Sequence, residues 1–153
     1  MDSMSSSTAS PGPSLESRLG QALAAFPQVA AAWLFGSHAR HEGRAESDVD
    51  VAVLLGEGVD RHDPELLGAM AAALEHAAGG PSIDLVVLHL ASQGPVFCHR
   101  VLSEGALLHE GDRAARVDFE SDTYVRYFDF RPTWDIAAKR GVAGFRRWLR
   151  ERR

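Results

Sequence analysis

Two apolar runs are joined by a connection that leaves the chain few options: Leu34-Phe35-Gly36-Ser37, ten residues, then Asp48-Val49-Asp50-Val51-Ala52-Val53-Leu54-Leu55. The first run closes on a small-residue turn, and the second opens on two carboxylates. Residues 33–36 read as the end of a buried strand. Residues 48–55 read as a second strand, because Val51, Val53, Leu54 and Leu55 are β-branched or apolar. Side chains alternate along a strand, so Asp48 and Asp50 share a face, with Cα atoms roughly 6.6 Å apart. Two carboxylates at that separation suit hard cations, and magnesium favours a few carboxylates plus substrate phosphate oxygens. Two such ions about 3.5–4 Å apart clamp the attacking and leaving oxygens of an in-line displacement.

The Gly-Ser half of the motif does different work. Gly36 lacks a Cβ and lets the backbone approach a ligand closely. Ser37 offers a hydroxyl and is expected to begin a short helix through Ala39 and Arg40, whose first amides would face a phosphate. Arg40 adds a fork of donors for a polyphosphate. Alone, a Gly-Ser is a turn and an Asp-x-Asp is a strand cap; their register between two strands makes them a candidate site. Asp84 adds a third carboxylate, inside Ser82-Ile83-Asp84-Leu85-Val86-Val87-Leu88. That run reads as buried sheet, where an acid is rare unless paired or bound to metal. A strand-end acid reaching solvent is an equally good reading of Asp84 taken by itself.

The 153 residues suffice for one domain with a sizeable core, and 45% hydrophobic content argues against general disorder. No apolar run approaches the ~18–20 residues of a membrane-spanning helix, and no secretory leader is visible at the N-terminus, so a cytoplasmic location is expected. Cys98 is the only cysteine, which excludes an intrachain disulfide and a cysteine metal site; it reads as a packed helix residue. The seven histidines lack ligand spacing, and only His38, next to Ser37, invites testing. Net charge is −5, which argues against nucleic acid as the main ligand. The balance is uneven. Residues 139–153 carry seven basic side chains against Glu151 alone. A basic helix end of this kind reads first as a solvated terminus and second as a partner contact.

Residues 1–13, rich in Ser, Pro and Gly, read as a flexible tail. A nucleotide-site domain is expected over 14–110, and a helical extension over 111–153. Ser14 caps a first helix reaching about Phe26, and Pro27 ends it. Residues 29–35 and 48–55 are the first two strands. Asp63-Pro64 starts a helix that ends at Gly79-Gly80. Residues 83–88 form a third strand, 95–103 a helix, and 106–109 a fourth strand. Helices over 112–128 and 134–152 complete the chain.

The block Gly36-Ser37, ten residues, Asp48-x-Asp50, with Asp84 later, resembles the polymerase-β-type nucleotidyltransferase superfamily. Its short length and its Gly-Ser-His-Ala-Arg form resemble the minimal nucleotidyltransferases (MNT proteins), many of which are antitoxins paired with HEPN RNase toxins. The likeness covers about residues 15–108. It implies an α/β (α+β) fold, with a small mixed sheet flanked by helices. It implies catalysis by Asp48, Asp50 and Asp84, which would hold two Mg²⁺ ions, with Asp84 also able to take the acceptor's proton. Gly36, Ser37, Arg40 and Ser47 would bind the nucleotide, usually ATP. The function so implied is transfer of AMP to a hydroxyl of a partner protein, with a tyrosine of a HEPN toxin as leading acceptor.

Two other readings stand beside that one. The same fold serves an antitoxin that neutralises its toxin by contact alone, though contact requires no aspartate triad. Transfer to a small molecule such as an aminoglycoside usually needs a larger acceptor-binding domain. Neither a membrane partner nor nucleic acid as main ligand is expected, and self-association stays open.

Overall fold

A computed structural model describes residues 10–40, 47–129 and 147. Along the chain run α1 (Leu15–Ala24), β1 (Val29–Phe35), β2 (Val49–Leu55), α2 (Pro64–Ala78), β3 (Ile83–Val87), α3 (Leu90–Glu104), β4 (Ala106–Glu110) and α4 (residues 113–129). The strands form one mixed sheet in the order β3-β2-β1-β4. β1 pairs antiparallel with β2 and β4, while β2 pairs parallel with β3. The parallel pair needs a crossover, and α2 supplies it.

Helix ends follow local chemistry. Ser14 caps α1 by accepting from the Ser17 amide at 3.1 Å. The helix stops at Ala24, two residues before Phe26, because Pro27 cannot continue the ladder and the Phe26 amide turns back to Leu23. Asp63 caps α2, accepting from the Glu65 and Leu66 amides, and Pro64 fills the first turn. Gly79 closes α2 in the left-handed region at φ 76°. α3 begins at Leu90, five residues earlier than the sequence suggests. Gly94, at φ 81° and ψ 166°, breaks it before Pro95 opens the longer stretch. Before the break, the Gln93 side chain ties the first turn of α3 to the end of β3: its amide donates to the Val87 carbonyl, and its oxygen accepts from the His89 amide, both at 2.7 Å.

β1 is buried from Val29 to Leu34, so it reads as a continuous apolar run rather than an alternation. The reason is that helices cover both sheet faces. One face carries Val49, Val51 and Val53 against Leu19, Leu23, Met70 and Leu74 of α1 and α2. The other packs Trp33 and Ala52 against Cys98 and Val101 of α3, with Phe119 of α4 alongside. Each fully buried Leu or Met contributes about 1.5–3 kcal/mol, so the α1–α2 layer alone outweighs any surface ion pair. α1 lies close on β4, since a Cβ at Gly20 would overlap the Leu108 carbonyl.

α4 is capped by Asp112 and pinned by Arg116, which pairs with Glu110 and Glu120. Those two acids hold the Arg116 guanidinium above its ordinary pKa. Tyr127 stacks on His99 of α3, with ring centroids 3.6 Å apart. The helix expected over 134–152 lies outside the described residues, apart from Arg147, which is helical and exposed; most of the 1–13 tail also lies outside them. Among the described residues, no helix is long and apolar enough to cross a membrane.

Candidate functional site

Alternation along β2 sends Val49, Val51 and Val53 to one face, and Asp50 and Ala52 to the other. Asp50 lies at the end of the sheet where β1 runs out, paired with Phe35 across the antiparallel ladder. In the parallel ladder its partner is Asp84. Register therefore sets two carboxylates side by side on neighbouring strands. Asp48 stands just before β2, although the strand was expected to begin with it.

The electrostatics record this crowding. Partial burial, and then the charges of Asp84 and Asp48, push the Asp50 carboxyl above its ordinary pKa of 3.8. A hydrogen bond with the Asp84 side chain acts in the same sense, and His38 opposes it. Asp84 is exposed, because β3 is an edge strand. Its acid thus reaches solvent rather than sitting within buried sheet.

Gly36 supplies the ceiling. Its φ of 72° is in the region that favours glycine, and a Cβ built there would collide with Asp50 Oδ2. The backbone and the carboxylate can meet only because position 36 has no side chain. Residues 37–40 form a turn closed by the Arg40 amide donating to the Gly36 carbonyl at 3.3 Å, rather than the short regular helix expected after Ser37. His38 joins the two halves of the motif: its Nε2 lies 3.1 Å from the Ser47 carbonyl oxygen. The Arg40 guanidinium stands 3.6 Å from Glu104 at the end of α3, and both side chains are over 40% exposed. Such a pair is worth little and can be exchanged for a ligand.

Ser82 is a site neighbour that the sequence did not reveal. Its hydroxyl donates to Asp48 Oδ1 at 2.6 Å. The signal lies in the register: with Val49 level with Ile83, Asp48 falls level with Ser82. That pairing cannot be read before the strand order is known.

The donor set matches magnesium chemistry, because three carboxylates supply the hard oxygen ligands that ion takes. Among the described residues, no three His, Cys, Asp or Glu side chains stand close enough together to hold a metal ion. Asp48 is engaged with Ser82, while Asp50 and Asp84 engage each other.

No protein of curated function matches the chain. Solved structures do share its fold. One is a chain of a toxin-antitoxin complex with AMP-PNP, with a TM-score of 0.63 and 23% identity, covering 83% of this chain and 98% of that one. A chain of the MntA-HepT toxin-antitoxin complex gives 0.58 and 22%, covering 84% and 97%. A chain from the complex of a tri-AMPylated Shewanella oneidensis HEPN toxin with an MNT antitoxin gives 0.59 and 22%, covering 84% and 96%. The polymerase beta nucleotidyltransferase family model matches residues 18–114, from within α1 to the start of α4, and the chain belongs to that family.

Proposed function

We propose that this protein is a Mg²⁺-dependent adenylyltransferase that moves AMP from ATP to a hydroxyl of a partner protein, and that the partner is a HEPN-type toxin which it neutralises. One observation carries the chemistry: Asp50 and Asp84 meet in register across β2 and β3, beneath a glycine turn, with Asp48 beside them. Structural relatives in toxin-antitoxin complexes, one with AMP-PNP and one with an AMPylated HEPN toxin, support the donor and the acceptor.

Asp48, Asp50 and Asp84 are the residues that would hold magnesium. When bound, the ions supply positive charge to the triphosphate and to the attacking and leaving oxygens. The chain's own groups do the remaining work. The Gly36 turn lets the triphosphate approach the backbone, with Ser37 and Ser47 at its margins. Arg40 exchanges Glu104 for a phosphate oxygen, which its planar fork fits better. The acceptor oxygen attacks the α-phosphorus, the bond from that phosphorus to the bridging oxygen of the β-phosphate breaks, and pyrophosphate leaves. The acceptor's proton passes to Asp84, which is exposed and lies next to Asp50. AMP placed on the toxin adds a bulky anion that blocks its RNA site.

The test is transfer of radiolabelled AMP from ATP to a co-expressed HEPN partner, with and without Mg²⁺. Asp48→Ala combined with Asp50→Ala should abolish the label while the circular dichroism spectrum stays native. Undiminished transfer by that double variant overturns the proposal.

A further inference from the structure

A second concavity opens at the opposite end of β2 and β3 from the carboxylates. Leu54 lies four residues along β2 from Asp50, roughly 13 Å away, so the two sites are separate. The cavity holds about 370 Å³, within the size range of small-molecule sites. Leu54, Leu88 and Phe119 belong to its apolar wall, which β2, β3 and α4 build together.

Its charge pattern reverses that of the molecule. The protein carries a net charge of −5, yet among the described residues the wall contains Arg61, Arg126 and His89 and no Asp or Glu. Among the described residues, neither arginine is neutralised. Arg61 donates to His62 Nε2 at 3.1 Å and makes no ion pair, and Arg126 makes no ion pair or hydrogen bond. Two guanidiniums at the rim of an apolar cavity offer charge-assisted hydrogen bonds to one anionic headgroup while the walls take an apolar body. Few groups in the wall would answer the hydroxyls of a sugar, which favours an acyl or aryl body over a nucleotide.

We propose that this cavity is a binding site for a small amphipathic anion, an acyl or aryl body ending in a carboxylate or phosphate. The inference does not depend on the transferase reading, since it uses none of the residues assigned to that chemistry.

The test is titration of the isotopically labelled full chain with octanoate, octyl phosphate and octanol, followed by amide NMR shifts. Saturable shifts with either anion should centre on the ends of β2 and β3 and on Phe119, and the tighter anion names the headgroup. Octanol, and either anion added to the Arg61→Gln, Arg126→Gln double variant, should bind at least about tenfold more weakly, a loss of about 1.4 kcal/mol. Ala91→Trp, which fills the cavity from an exposed helical position, should remove the shifts while leaving the melting temperature unchanged. The proposal is overturned if neither anion saturates by about 5 mM, if the arginine variant binds as tightly as wild type, or if the shifts centre elsewhere.

Discussion

The Asp50 carboxylate occupies the space that a side chain at residue 36 would need. Gly36→Ala therefore meets two costs: a left-handed backbone at φ 72°, worth about 1–2 kcal/mol, and displacement of Asp50. We expect a melting temperature lower by several degrees and AMP transfer reduced by about a hundredfold or more. In an Asp50→Ala background the same glycine substitution should cost clearly less stability, because only the backbone penalty remains. Equal costs in the two backgrounds would show that the contact has no energetic weight.

Asp50 makes a pH prediction whose sign is fixed. Its carboxyl is raised above 3.8, so the folded protein holds that proton more tightly than the unfolded chain does. Its contribution to stability thus declines as pH rises from the ordinary carboxylate value through the raised one, and stays low above it. Asp50→Asn should raise the melting temperature of metal-free protein at neutral pH, by roughly 2–4 °C for each kcal/mol relieved. That advantage should fade as the pH is lowered through the window. Mg²⁺ with ATP should reverse the order, stabilising the wild type and not the variant. Thermal melts across pH, with and without ligand, measure both effects.

Ser82 holds Asp48 by a 2.6 Å hydrogen bond. Removing the hydroxyl frees the carboxylate to adopt other rotamers. Ser82→Ala should raise the Mg²⁺ concentration for half-maximal transfer by about tenfold, the usual scale for losing a group that orients a metal ligand. The ATP concentration dependence at saturating Mg²⁺ should change little, and Ser82→Thr should restore the wild-type response. An unchanged Mg²⁺ response in the alanine variant removes Ser82 from the site.

Cys98 is fully buried, and burial pushes its thiol up to about 11. The thiolate is the reactive form, so at pH 8 the folded protein should react with a disulfide reagent at least a hundredfold more slowly than the denatured chain. Fast labelling of the native protein would mean that α3 opens readily from the sheet.

The features legible in the sequence are those written in short stretches of chain. Asp63-Pro64 and Gly79 mark the ends of α2 by their own backbone chemistry, and β2 was visible in Val51, Val53, Leu54 and Leu55 with Asp48 and Asp50 two residues apart. Features that depend on neighbours were not legible. Asp84 read equally well as an acid within buried sheet and as one reaching solvent, and its exposed position on the edge strand β3 decides for the second. Ser82 meets Asp48 across 34 positions of sequence, a pairing created by register. Arg40 faces Glu104 because α3 returns the chain to the turn, which no local pattern announces. The early start of α3 rests on the Gln93 side chain bridging to β3, again a tertiary bond.

The parallel pairing of β2 with β3 has a consequence for biosynthesis. Asp50 and Asp84 are joined only through the α2 crossover, so no stretch of chain ending before residue 83 contains both. As the polypeptide leaves the ribosome, the glycine turn and the first two acids emerge well ahead of the third. A nascent or truncated product therefore carries the recognisable motif without its third acid, and the three carboxylates come together only once β3 has paired with β2.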